Sequence, residues 1–122
     1  MISEAEAVVM EVLWRGAPRS AEEILAEVGA AQQWQEGTVK SLLNRLLKKK
    51  AVKAERDGRR YLYSPLLPRE KYVHQTSKSL LDRLFGGRVA PLVAHFSEQR
   101  KLSKKDIAEL RQLLEELDDE QP

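Results

Sequence analysis

The sequence predicts a mainly α fold with one small β-hairpin: three helices and the hairpin form an N-terminal unit, and three further helices form a C-terminal one. Three observations predict it. Apolar residues recur at helical spacing through most of the 122 residues. The pattern S-x-x-E, whose serine oxygen and glutamate satisfy a helix N-terminus reciprocally, opens two successive stripes, at Ser3 with Glu6 and at Ser20 with Glu23. Finally, Asp57-Gly58 stands between two short extended runs, which is a hairpin signal.

The first helix follows its capping box through Ala5, Val9, Val12 and Leu13, and Gly16 with Pro18 stops it. The second carries Ala21, Ile24, Leu25 and Val28, with Gly29 expected to close it. A third stripe of Val39, Leu42, Leu43, Leu46 and Leu47 places Gly37, Ser41, Asn44 and Lys48 on the opposite face, flanked by Thr38, Lys40 and Arg45. The buried half is aliphatic, whereas the exposed half is small, polar or basic. Val52 to Arg56 and Arg60 to Ser64 form the hairpin arms, with Arg59 and Arg60 at or beside the tip. Pro65 and Pro68 then separate the units, which puts residues 1–67 in the first and 68–122 in the second.

The second unit reads as a helix through Val73, Thr76, Leu80, Leu84 and Phe85 up to Gly86-Gly87. A second follows through Val89, Leu92, Val93 and Phe96, and a third is capped by Ser103 with Asp106 and runs through Ile107, Leu110, Leu114 and Leu117. Asp118 to Pro122 are expected to form a frayed end. Three short helices make a poor core alone, so this unit is expected to associate with another chain, through Leu80, Leu84, Leu92, Val93, Phe96, Leu110 and Leu114.

Charge is unevenly spread. Residues 1–36 carry 2 basic and 7 acidic side chains, 37–71 carry 11 and 3, and 72–122 carry 8 and 9, so a net charge of +2 conceals a basic middle third. Such a segment fits a polyanion. Helix, helix, helix and a hairpin with an arginine-bearing turn is the order of a winged helix-turn-helix, whose third helix enters the DNA major groove while the hairpin lies along the backbone. Thr38, Lys40, Ser41 and Asn44 are the candidate base readers, with Gly37 beside them. Lys48, Lys49, Lys50, Lys53, Arg56, Arg59 and Arg60 are candidate phosphate partners, and Arg45 at the flank of the face is a further candidate DNA contact. The competing reading is a winged-helix protein-interaction module without sequence-specific DNA binding. It requires an apolar or acidic face on the third helix, where this sequence has a polar and basic one.

The absence of cysteine excludes disulfides, thiol catalysis and thiolate metal sites. His74 and His95 stand 21 residues apart, unlike the close ligand pairs of zinc helices, and read as surface or interface residues; no metal or other cofactor is expected. Trp14, Trp34, Phe85 and Phe96 read as packing residues, as do Tyr61 and Tyr63, which share one hairpin face. No triad spacing, glycine-rich loop after a strand or isolated carboxylate pair supports an enzyme. The N-terminus opens with acids and no run reaches a membrane span, so a cytoplasmic protein is expected, without membrane insertion.

Longer motifs add a resemblance. The run WQEGTVKSLLNRLLKKK, Trp34 to Lys50, resembles the recognition-helix region of the penicillinase repressor (BlaI/MecI) family, W-x-x-x-T-[VI]-[RK]-[TS]-L-[IL]-x-R-L-x-K-K. I-S-x-A-E at Ile2 to Glu6, V-M-x-[VI]-[LI]-W at Val9 to Trp14, S-A-x-E-I at Ser20 to Ile24, Y-x-Y-x-P at Tyr61 to Pro65 and L-x-[RK]-[LV]-[FY]-G-G at Leu81 to Gly87 are similar too. So are Pro91 to Phe96 and Asp106 to Leu114, which resemble that family's dimerisation region.

The resemblance implies a homodimeric transcriptional repressor of antibiotic resistance on a palindromic double-stranded DNA operator. It also implies release by an inducing signal, with a membrane sensor-linked protease cutting an Asn-Phe bond in the dimerisation region. By position that bond is His95-Phe96, with histidine in place of asparagine. Gly37 stands where familiar members have lysine and Gln35 where they have a serine or similar cap, so the resemblance does not carry their operator sequence over. The cysteine-rich site of the copper-responsive branch has no counterpart in a chain without cysteine.

Overall fold

The computed structural model describes residues 1–120. Its elements are α1 (Glu4–Arg15), α2 (Ala21–Gln32), α3 (Glu36–Lys48), β1 (Val52–Asp57), β2 (Arg60–Pro65), α4 (Arg69–Leu84), α5 (Val89–Glu98) and α6 (Lys104–Glu120). The expected mainly α class and order of elements are therefore found.

Both capping boxes form. In α1 the Glu6 carboxylate accepts from the Ser3 N–H at 2.8 Å while the Ser3 hydroxyl accepts from the Glu6 N–H at 3.1 Å; in α2 Ser20 and Glu23 do the same at 3.0 and 3.1 Å. Gly29 does not end α2. The helix runs on to Gln32, and Gln33 caps it in the left-handed conformation, φ 58°. The glycine is there for packing: a Cβ on Gly29 would lie 2.6 Å from Leu25 Cδ1 and 3.5 Å from the Trp34 carbonyl oxygen.

The core of the first unit is built where α1, α2 and α3 turn their stripes inward: Val9, Met10, Val12, Leu13, Ile24, Val39, Leu42, Leu43 and Leu46 are buried, joined by Ala51 just before the hairpin and by Val52 and Tyr63 within it. Each large aliphatic side chain in it contributes roughly 1.5–3 kcal/mol of transfer free energy, which is what fixes the face that α3 leaves outside. The hairpin pairs antiparallel from Val52↔Pro65 to Asp57↔Arg60. Its two-residue loop is Gly58-Arg59, one residue later than Asp57-Gly58. Gly58 takes φ +66° and Arg59 does not have a positive φ, the pattern of a II′ turn. The α1–α2 connection adds a bridge, with Arg19 N–H donating to the Tyr63 carbonyl at 3.0 Å and Tyr63 N–H to the Arg19 carbonyl at 2.8 Å.

The chain divides into compact units Met1–His74 and Gln75–Pro122, the division falling inside α4 and not at Leu67. The start of α4 stays with the first unit because Trp14 Nε1–H donates to the Leu67 carbonyl at 2.8 Å, the Trp14 and Tyr72 rings lie 5.4 Å apart and Arg69 pairs with Glu11 at 3.1 Å.

In the second unit α4 ends as expected at Gly86 and Gly87, both at positive φ, with the Gly87 N–H closing on the Leu81 carbonyl at 2.8 Å. Ser103 and Asp106 cap α6 reciprocally at 3.0 and 3.3 Å. Asp118, Asp119 and Glu120, expected to fray, continue α6, since no helix breaker precedes Pro122; Gln121 and Pro122 lie outside the described residues. No side chain of α4, α5 or α6 is buried. Leu80, Leu84, Phe96 and Leu114 are exposed, and Leu92, Val93 and Leu110 are half-buried. Among the described residues no helix is long and apolar enough to cross a membrane.

Candidate nucleic-acid interface

With Val39, Leu42, Leu43 and Leu46 committed to the core, α3 presents Gly37, Thr38, Lys40, Ser41, Asn44, Arg45 and Lys48 outward, all exposed. These are the residues named for the reading face. The helix N-terminus has no side-chain cap, Gln35 making no such hydrogen bond. Its first amides and the positive end of the helix dipole are therefore left for an external acceptor.

Two depressions flank α3. An open groove of about 680 Å³ is lined by Ala5, Gln35, Gly37, Thr38, Ser41, Leu42 and Arg45. A narrower cleft of about 160 Å³ runs between the start of α2, α3 and the hairpin, walled by Ser20, Ala21, Glu22, Glu36, Lys40, Arg59, Arg60, Tyr61 and Tyr63. The fold thus brings Gly37, Thr38, Ser41 and Arg45 to one side of α3, and Lys40 with the hairpin arginines to the other. A Cβ on Gly37 would meet nothing within 4 Å, so its absence leaves open space on the outward face.

The cations differ in how free they are. Lys40 pairs with Glu36 at 2.9 Å, and that hydrogen bond, then the Glu36 charge, holds its ammonium above the ordinary lysine range. Arg60 pairs with Asp57 at 3.3 Å and reaches Glu23 at 3.8 Å. Arg56 donates to the Gly58 carbonyl and lies over the Tyr61 ring, 5.8 Å from its centroid, and Lys53 pairs with Glu55. Among the described residues Arg45, Lys48, Lys50 and Arg59 make no ion pair. Tyr63 is buried, its position anchored by Arg19, whereas Tyr61, nearer the tip, is 47% exposed because the core does not reach that far along the shared face.

Lys49 departs from its expected phosphate role. Its ammonium bonds Glu6 Oε1 and the Met1 carbonyl, each at 2.6 Å. Glu6, 1% exposed, is thereby a buried charge and not only a cap. Burial pushes its carboxyl up; the bonds from Lys49 and Ser3, with the Lys49 charge, outweigh that and leave it below its ordinary value. Sequence reasoning missed this pair, and missed the carboxylates Glu22 and Glu36 in the cleft. The i,i+4 spacing of Glu36 and Lys40 was the signal available for the last.

The sequence profile of the penicillinase repressor family matches residues 2–116. This chain belongs to that family. It is 35% identical to the penicillinase repressor of Bacillus licheniformis over 94% of this chain and 90% of that protein. It is 32% identical to the methicillin resistance regulatory protein MecI of Staphylococcus aureus over 93% of this chain and 92% of that one. Among solved structures it resembles the monomeric form of the Bacillus licheniformis repressor BlaI in complex with the blaP half-operator, with 32% identity, a TM-score of 0.52, and 59% of this chain and 88% of that chain covered. The protein is accordingly a DNA-binding transcriptional repressor and not an enzyme.

Proposed function

We propose that two copies of this chain, joined through their second units, seat two α3 helices in successive major-groove segments of a palindromic operator and so block transcription in the cytoplasm. The observation that carries the DNA-reading half is the outward face of α3, polar and basic from Gly37 to Lys48 and flanked by the hairpin tip. Thr38, Lys40, Ser41 and Asn44 read base edges, with Gly37 allowing close approach. Arg45, Lys48, Arg59 and Arg60 hold phosphates. Half-sites would lie about 34 Å apart, one turn of the duplex.

The pairing half rests on α4, α5 and α6 having no buried side chain, with Leu84 and Leu114 64% and 61% exposed. A groove of about 310 Å³ lined by Leu92, Val93, Phe96, Leu102, Leu110 and Leu113, with Asp106 and Glu109 at its edge, offers apolar surface to a second copy. An inducing signal would release the operator by weakening this pair, and cutting at His95-Phe96 by a sensor-linked protease is one route. Both residues are exposed on α5, with the His95 ring 6.1 Å from Phe85 and 5.2 Å from Phe96.

The test is selection of duplexes from a random-sequence pool by the full chain, followed by sedimentation of the complex. Enrichment of an inverted repeat bound by two chains is expected. No enrichment at moderate salt would refute the sequence-specific repressor, and a single bound chain would refute the pairing.

A further inference from the structure

Glu36 is the only carboxylate on α3, and no other acid follows it in sequence before Glu55; Glu22 of α2 stands in the wall of the same cleft. Its oxygen lies 2.9 Å from the Lys40 ammonium, with the two side chains 52% and 59% exposed, so the pair is wet and contributes little to stability. Its place makes it consequential. The pair stands in the wall of the cleft between α2, α3 and the hairpin, where the backbone of a docked duplex would run. Two of the cleft's three cations, Lys40 and Arg60, are already held by carboxylates; Arg59 is not.

We propose that Glu36 is a specificity-determining residue of the reading surface, which holds the Lys40 ammonium back from the phosphates of unmatched DNA and presents it to a base edge. The proposal rests on α3 being the reading helix. A phosphate that takes Lys40 from Glu36 must displace one anion with another and bring a carboxylate close to the backbone, so the counterion-release gain from that lysine is discounted on every duplex alike. A base edge imposes no such exchange. An ammonium carries three donors, and one can stay on Glu36 while another meets guanine O6 or N7. Glu36 therefore lowers affinity where there is nothing to read and costs little where there is.

Fluorescence anisotropy with a labelled random-sequence duplex, and with the duplex the wild type enriches from that pool, tests this in Glu36→Gln, Lys40→Ala and the double variant. Glu36→Gln is expected to bind random duplex more tightly. Freeing one lysine steepens log K against log salt by about 0.9 per protomer, so the gain should be about 3.5-fold larger per bound protomer, about 12-fold for a bound pair, at roughly 50 mM than at 200 mM salt. The enriched duplex should change less, so the preference ratio narrows. In the Lys40→Ala background the slope should not move with Glu36→Gln. An unchanged slope in the single variant overturns the proposal, as does an equal change with and without Lys40. A wild type that enriches no duplex refutes the reading of α3 itself; enrichment with an unmoved Glu36→Gln slope refutes only the role of Glu36.

Discussion

Replacing Lys49 by methionine separates a structural lysine from a DNA-binding one. The substitution keeps the side chain's length and removes the ammonium 2.6 Å from Glu6 Oε1, leaving a carboxylate that is 1% exposed without its counter-charge. Glu6 Oε2 already has no hydrogen-bond partner, and Oε1 would keep only the Ser3 N–H, at 2.8 Å. Breaking one side of a fully buried pair costs about 3–5 kcal/mol. Here the Lys49 side chain is 37% exposed and water reaches the ammonium, which brings the cost down towards a charged hydrogen bond, about 2 kcal/mol. At about 4–8 °C per kcal/mol for a unit of this size, the first unit should melt roughly 10 °C lower. Both tryptophans, Trp14 and Trp34, lie in that unit, so their fluorescence follows its unfolding alone. The Glu6 carboxyl is held below its ordinary value of 4.5, so its contribution is complete above that pH and is lost as pH falls through the lower folded value. In the variant only Ser3 remains to oppose burial, so the carboxyl rises and the gap in stability between wild type and variant should close as pH falls below 4.5. Affinity for random duplex and its salt slope should not change. A variant of wild-type stability that binds DNA more weakly with a shallower slope would refute this, and return Lys49 to the phosphate contacts.

Arg59→Ala should weaken binding to all duplexes alike and lower the salt slope by about 0.9 per protomer, whereas Ser41→Ala should shift preference among operator variants at nearly constant slope, both read by anisotropy. A chain truncated after His74 should sediment as a monomer, keep its tryptophan spectrum because Trp14 retains Leu67 and Tyr72, and lose most operator affinity; a tight dimer would place the association surface elsewhere. Protein recovered from derepressed cells should show fragments divided at His95-Phe96 by intact mass, and full-length chain alone with the operator free would eliminate cutting.

What was legible in the sequence was local. The serine and glutamate of each capping box lie three residues apart, and the stripe of α3 repeats within two turns, so both could be read without knowing what they pack against. The outward face of α3 followed from that stripe by elimination. What was not legible depends on partners distant in the chain: Lys49 looked like one of three equivalent lysines because Glu6 stands 43 residues away, and the Arg19–Tyr63 bridge joins segments that carry no pairing signal of their own. Gly29 misled for a related reason. A glycine after a stripe usually ends a helix, and only the position of Leu25 and Trp34 shows that this one makes room inside it. The hairpin was seen and its loop displaced by one residue, because Asp57 can precede a tight turn as well as enter it.

The two units draw on different sources of order, and on the proposed pairing this shapes how repression ends. The first unit holds a buried core within one chain. The second has none: α5 is 10 residues long, short of the roughly 12–15 at which an isolated helix becomes even marginal, and neither α4 nor α6 buries a side chain. Packing against a second copy would supply the missing burial, so ordering of α4–α6 and association become one equilibrium that shifts with chain concentration. Joining two readers raises operator affinity by about 10²–10⁴ over one reader without a new contact to DNA. Any event that removes a fraction of the apolar surface shared by the pair therefore acts twice, loosening the helices that make the surface and dissolving the linkage that the readers depend on. Occupancy of the operator can then fall while every side chain of α3 keeps its place.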